Sequence, residues 1–430
     1  MTDFAASYGA LPTALVAPRV AALQRSLLWL VGCSGAVVFF EPSPYELATL
    51  LAMIVLVATG LSLRPAFLPL AAMLFLVNIG YTICAADLMN QSRIVTWVLT
   101  SWYMAVTAIF FAMAVAQDTV ARLDALRRGL IFGALIASLA GIAGYFRLFP
   151  GTYGLFTLYG RAMGPFKDPN VFSAFLILPA LFLLQSVVSD RFGKSLRSML
   201  LLGLITLALL LAFSRAAWGQ FILASAFMLF MMVLTSKTNV QRSRIITIAI
   251  AALLMGVVLL LILLSFDSID TVFKQRASFD QSYDEGRFGR FGRHILGARM
   301  ALDLPFGIGP LQFTKFFPED THNSYLNAFM SGGWISGVCY PALIGTTVVL
   351  GFRYAFVRTP WQRVYLAVFA TFLGTVGEAF IIDTDHWRHF WMITGLMWGM
   401  FAASQQHIAS ARQSWGAIKT TMGWSSTART

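Results

Sequence analysis

Charge is what this chain has least of. Asp, Glu, Lys and Arg together make up 12% of its 430 residues, while apolar types make up 58%. Mean hydropathy is +0.73, which excludes an ordinary soluble globular protein and implies an integral membrane protein. Acidic residues are the scarcer sign, 19 against 31 basic, for a net charge of +12. In a soluble protein that balance would point to nucleic acid. In a membrane protein, cytoplasmic Lys/Arg excess is the simpler cause, so no nucleic-acid partner is expected. Cysteine is nearly absent: Cys33, Cys84 and Cys339 lie scattered in apolar segments without C-x-x-C spacing. This excludes a disulfide framework, a zinc site and a redox pair, and leaves the three as small apolar filler. The first 22 residues hold no compact apolar core followed by a small-residue cleavage site, so the first span itself is expected to act as the insertion signal. There is no visible internal repeat and no matching pair of broken helices in two halves, which argues against a transporter built from inverted repeats.

What is present is a series of apolar runs. They lie at about 26–40, 45–63, 66–86, 94–116, 129–149, 170–188, 197–213, 216–234, 245–266, 324–350, 364–382 and 390–405, and each is long enough to span a bilayer or nearly so. The stretch 197–234 as one straight helix would measure about 57 Å, nearly twice the hydrocarbon thickness. It must be two spans. The expected fold is all-α and polytopic, with about 12 transmembrane helices. Residues 1–405 form a single multi-span membrane domain that includes a large periplasmic loop, 267–323, between spans 9 and 10. A polar tail, 406–430, is expected to be loosely ordered on the cytoplasmic side.

With the N-terminus cytoplasmic, Arg19, Arg25, Arg64, Arg122, Arg127, Arg128, Arg191, Lys194, Arg197, Lys237, Arg242, Arg244, Arg353, Arg358, Arg363, Arg412, Lys419 and Arg429 fall inside. Every cytoplasmic loop is then basic, as the positive-inside rule requires. The other 13 of the 31 basic residues lie outside, against that bias. Arg93, Arg147 and Arg388 are isolated. The rest cluster in three outer connections: Arg161 with Lys167; Arg215; and Lys274, Arg276, Arg287, Arg290, Arg293, Arg299 and Lys315.

Five constellations carry candidate chemistry. In RAMGPFKDPN, Asp168 and Pro169 read as the N-cap and first residue of a helix starting near Asn170. A loop and a cap leave Arg161 and Lys167 unexplained, and a helix N-terminus flanked by cations suits an anion. In FSRAAW, Arg215 stands between two apolar runs with almost no loop, as an interfacial anchor or a functional arginine. In DEGRFGRFGRHILGARMALDLPFGIGP, Arg287, Arg290 and Arg293 recur every third residue before a short helix from about His294 to Leu304, where a solvated basic loop is the plain alternative. GIGP is a turn without the strand and helix of a phosphate loop. In DTHNSY, His322 opens an apolar run, as a cap or as a base, with Thr321 or Asn323 as rival caps. In IIDTDHWRHF, Asp383, Asp385 and His386 are a weak metal pattern, because Arg388 beside them offers an internal partner. No metal and no cofactor are expected.

Clustered arginines on an outer face imply an anionic ligand at the membrane surface, and a neutral histidine adds a base. A hydroxyl attacking a sugar carbon that bears a diphosphate uses both. RAMGPFKDPN, the Ser214-Arg215 pair, the GRFGRFGRHILGARMALDLPFGIGP run and HNSYLNAFMSGGWISG, in this order and spacing across about residues 155–340, resemble the O-antigen ligase and O-antigen polymerase superfamily of bacterial envelopes. The resemblance implies a metal-independent, inverting glycosyltransferase in the inner membrane, with both termini cytoplasmic and a periplasmic site. It implies an undecaprenyl diphosphate-linked glycan as donor and the lipid A core or another glycan as acceptor, with membrane lipids around it. On the matching motifs, His322 acts on the acceptor hydroxyl and Arg215 with Arg290 binds the diphosphate, Arg290 standing fifteen residues before Pro305. Arg287 is the alternative to Arg290, and Arg161 is a further diphosphate candidate. Lys167, Asp168, Asn170 and Asn323 support them. Arg293-His294 stands where an aromatic residue is more common in the family. A polysaccharide polymerase and, from another class, a flippase or exporter of lipid-linked sugars are the competing readings.

Overall fold

The computed structural model describes residues 17–190, 192–277 and 286–421. Among them the chain forms fifteen α-helices: α1 Pro18–Ser34, α2 Pro44–Ala58, α3 Leu68–Cys84, α4 Ser92–Val115, α5 Thr119–Tyr145, α6 Thr152–Phe156, α7 Pro169–Ser189, α8 Phe192–Leu211, α9 Arg215–Thr235, α10 Asn239–Leu264, α11 Asp267–Ala277, α12 Arg290–Asp303, α13 Ser324–Ala355, α14 Gln362–Glu378 and α15 Arg388–Thr421. Two short strands, β1 Thr157–Leu158 and β2 Arg161–Ala162, pair antiparallel in the loop before α7. The protein is an all-α polytopic membrane protein: eight described helices are long and apolar enough to cross a membrane, and α2 is a shorter apolar helix.

Each of the twelve apolar runs meets one helix, but some edges move. The first helix begins at Pro18 and stops at Ser34, well before the apolar run ends at residue 40, and residues 35–43 form turns instead. The second begins at Pro44, where Ser43 and Glu46 form a reciprocal capping box. The final helix continues to Thr421, so the polar composition after residue 405 does not end it as expected. The remaining tail residues, 422–430, lie outside the described residues.

Small residues let the helices approach closely. A Cβ on Gly129 would lie 2.1 Å from Trp29 O and one on Gly133 2.5 Å from Cys33 O, so α1 and α5 touch backbone to backbone. Gly395 and Gly399 do the same for α15 against Ala108 and Ala112 of α4. Both are small-xxx-small pairs, the usual route to packing between helices that gain nothing from leaving lipid.

The segment that follows α12 docks on a break in α13, which the sequence reading did not anticipate. Gly333 interrupts that helix with φ 61° and ψ −162°, a conformation that essentially only glycine adopts. The freed backbone groups are taken up by the segment after α12. Trp334 N donates to Pro305 O at 2.9 Å, and Met330 O accepts from Ile308 N at 2.7 Å and Gly309 N at 3.1 Å. The GIGP turn is therefore a plug for a broken helix, which keeps the non-helical backbone of an apolar helix satisfied. It also fixes α12 against the N-terminal part of α13.

Candidate functional site

The end of α14 gathers the candidate residues. Ser324 N, at the start of α13, donates to Ala379 O at 2.8 Å, and Asn323 Nδ2 donates to Phe380 O at 3.2 Å. On the neighbouring face of α14, the Gln220 amide lies 2.8 Å from Thr375 Oγ1. Turned so that its nitrogen faces the carboxylate, it also donates to Glu378 at 2.6 Å. Gln220 is five residues, about 7.5 Å of helix, from Arg215 at the start of α9. The ends of α9 and α13 that carry Arg215 and His322 thus both sit at one end of α14.

His322 does not cap its helix. Asn323 does: its Oδ1 accepts from Leu326 N at 3.0 Å. The imidazole is left beside the helix end with φ 45° at its own backbone. The backbone around it is gripped by Asp383, whose carboxylate accepts from Thr321 Oγ1 at 2.9 Å, His322 N at 3.0 Å and Asn323 N at 3.0 Å. The His322 ring stays 3.8 Å from Asp383, too far for a hydrogen bond, and about a third of it is exposed. Burial lowers its pKa below the ordinary histidine value, and the nearby Arg290 guanidinium lowers it further. A half-open imidazole held neutral has the properties of a general base.

The Asp383 carboxyl is pushed the other way. Burial and the neighbouring Asp385 and Asp320 carboxylates raise its pKa, against the Thr321 and Asn323 donors that favour its charged form. Asp385 is tied separately: Asn327 Nδ2 donates to it at 2.9 Å, and His386 Nδ1 lies 3.2 Å from the same oxygen. Both carboxylates of the D-x-D pattern are thus engaged by protein groups.

The arginines of α12 divide by role. Arg290 is its first helical residue, since the helix begins four residues earlier than the sequence suggested. Arg293 is 2% exposed and inward, donating to Glu319 at 2.7 Å and to Phe288 O at 3.2 Å. His294 Nε2 donates to Thr321 O at 2.9 Å, which pins α12 to the irregular segment leading into His322. The unusual Arg293-His294 pair therefore orients the loop. Arg287 is exposed, its guanidinium 5.7 Å from the Phe288 ring.

Arg161 reaches the backbone just before Arg215. Arg161 Nε donates to Ala212 O at 2.7 Å, at the end of α8, and its Nη2 donates to Asn170 Oδ1 at 2.8 Å. This ties the β1–β2 turn to the short link that precedes Arg215. Ser214 caps α9 by accepting from Ala217 N. Asp168 caps α7, accepting from Asn170 N at 2.7 Å and Val171 N at 3.4 Å, as Asp-Pro had implied. Lys167 is paired with Glu41 at 2.8 Å.

Sequence reasoning missed the Asp383 grip, the Arg293–Glu319 lock and the His294 bond. The first left a signal, a D-x-D after a span, which also fits a metal site. The others depend on residues far apart in sequence. No curated protein sequence matches the chain significantly. Residues 200–340, which run from within α8 through Arg215, α12 and His322 into α13, match the family model described as O-antigen ligase, so this third of the chain is similar to that family.

Proposed function

We propose that this membrane enzyme transfers a glycan from undecaprenyl diphosphate to an acceptor hydroxyl at the periplasmic face of the inner membrane, with twelve spans and both termini in the cytoplasm. The observation that carries the reading is His322: a neutral, partly exposed imidazole released from capping, beside Arg290 and at the same end of α14 as Arg215. His322 takes the acceptor proton as the acceptor oxygen bonds to the anomeric carbon. The bond from that carbon to the diphosphate breaks, and Arg215 and Arg290 stabilise the departing charge. A single displacement of this kind inverts the anomeric centre and needs no metal. Arg287 reinforces the field from the loop, and Arg161 braces the link before Arg215 through Ala212 and Asn170. The lipid A core is the acceptor on the ligase reading. A polymerase would use the same residues on a second lipid-linked glycan.

A flippase would share the broken α13. Here, however, the break is filled by Pro305–Gly309 of the outer loop, which favours a fixed site over a translocation path.

The test reconstitutes the purified protein with lipid-diphosphate glycan and candidate acceptors in chelator. Wild type is expected to transfer, while His322→Ala and Arg215→Ala lose at least about 10²-fold, in the range of a lost general base or a lost charge stabiliser. Full activity of His322→Ala overturns the base, and a strict divalent requirement overturns the metal-free step.

A further inference from the structure

The segment between α14 and α15 has a second side. Beyond the grip on His322, its residues His386 and Trp387, with Arg388 and His389 at the start of α15, line a cavity of about 140 Å³ closed by Tyr45 of α2 and Phe166 before α7. That is the space of about four or five waters, which takes most of one sugar ring with its edge in the open mouth and is too little for an acyl chain. Its wall carries an unmet need: His389 is 7% exposed, and its Nε2 has no hydrogen-bond partner. A buried polar atom left alone in a native fold calls for an explanation, and an absent ligand is one.

The mouth says which ligand. Lys167 is bound to Glu41, and Arg388 is bound to Glu46 and Glu41. The Lys167 hydrogen bond holds the Glu41 carboxyl below its usual range, so the pair stays charged. Two cations answered by two carboxylates leave no excess positive charge for an anion. Apart from Asp168 and His386 the remaining lining is aromatic and apolar, and two of its polar atoms, His389 Nε2 and the Tyr45 hydroxyl, have no hydrogen-bond partner, the pattern of a site for a neutral molecule with apolar faces and hydroxyl edges. The chain from Asp383 to His386 spans at most about 11 Å, so an occupant lies within one or two sugar units of His322.

We propose that this cavity is a subsite for one pyranose ring of a glycan substrate, with the His389 imidazole hydrogen-bonding a ring hydroxyl and the Trp387, Phe166 and Tyr45 rings covering its apolar faces. The proposal rests on the glycosyltransfer reading and names a place for the sugar that reading leaves unplaced. The ring belongs either to the donor glycan or to the acceptor.

Binding is tested on the full chain in lipid nanodiscs with a panel of methyl glycosides. The readout is protection of His386 from acylation by diethyl pyrocarbonate, located by mass spectrometry. At least one glycoside is expected to protect His386 saturably. His389→Phe, which keeps an aromatic ring and removes the nitrogens, is expected to raise the half-protecting concentration about tenfold, the effect of one lost hydrogen bond. His389→Gln, which keeps a polar group, is expected to stay within about threefold of wild type. In the transfer assay His389→Phe is expected to raise the KM of one substrate and leave kcat near wild type, and which substrate is affected assigns the ring to donor or acceptor. No protection by any glycoside, meaning a cavity that holds only water, or equal protection in His389→Phe, overturns the subsite. Protection without transfer by wild type sinks the glycosyltransfer reading alone, and transfer without protection sinks the subsite alone.

Discussion

At residue 322 the backbone is left-handed, with φ 45°, a conformation that costs a non-glycine residue energy unless its surroundings hold it. Asp383 does the holding, with three hydrogen bonds to residues 321–323. Asp383→Ala is therefore expected to lower kcat by about 10²-fold, as a displaced catalytic group does, while leaving donor binding intact. An unchanged kcat in single-turnover measurements would remove Asp383 from this role. The pH dependence follows from His322. Its pKa lies below the ordinary histidine value of 6.5, so the neutral, proton-accepting form persists at pH values where a free histidine is charged. The acid limb of kcat/KM is expected below pH 6.5. Removing the Arg290 charge with Arg290→Met takes away a cause of the lowering, so the limb for acylation of His322 should move up toward 6.5. A limb that stays put would mean Arg290 does not act on His322. The sequence singled out His322 and the arginines as candidates by their types and expected sides, whereas the identity of the cap did not follow from it. Thr321, His322 and Asn323 can each cap a helix, and only the chain direction at residue 323 settles that Asn323 does.

Helix ends and breaks decide where the loops sit. Asp168 caps α7 through Asn170 N and Val171 N, and Asp168→Ala is expected to cost about 1 kcal/mol in unfolding free energy, the usual worth of an N-cap. The break in α13 is the more consequential feature. A Cβ on Gly333 would lie 2.4 Å from Pro305 O, so Gly333→Ala has to displace the 305–309 plug. Faster proteolysis between α12 and α13, with activity lost and membrane insertion retained, is the expected outcome. Unchanged cleavage would show that the plug tolerates the change. The apolar run 324–350 gave the existence of α13 plainly, because hydrophobicity and length are local properties. The break was not legible: a Gly-Gly pair is common in membrane helices, and only a second segment able to satisfy the freed carbonyl makes the kink stable.

Across the whole molecule, packing and chemistry separate. The contact of α4 with α15 depends on Gly395 and Gly399, in the apolar half of α15. Gly395→Leu is expected to lower the Tm strongly and to leave the acid limb of His322 acylation unmoved, because it touches α4 and none of the groups around the imidazole. A shifted limb would couple this packing to the site. Composition alone determined that the chain is a multi-span membrane protein, since 58% apolar residues with 12% charge cannot be folded around a water-soluble surface. The order of apolar runs followed from the same partitioning between water and lipid, residue by residue, and the expected side of each arginine pointed to the helix ends proposed to hold a site. Tertiary structure alone decided that Arg293 turns inward to Glu319, that Asp383 serves the backbone of His322, and that His389 faces a cavity without a partner. These are contacts between residues tens to hundreds of positions apart, and a hydrogen bond forms only where the fold brings donor and acceptor within about 3 Å, a distance no local pattern encodes.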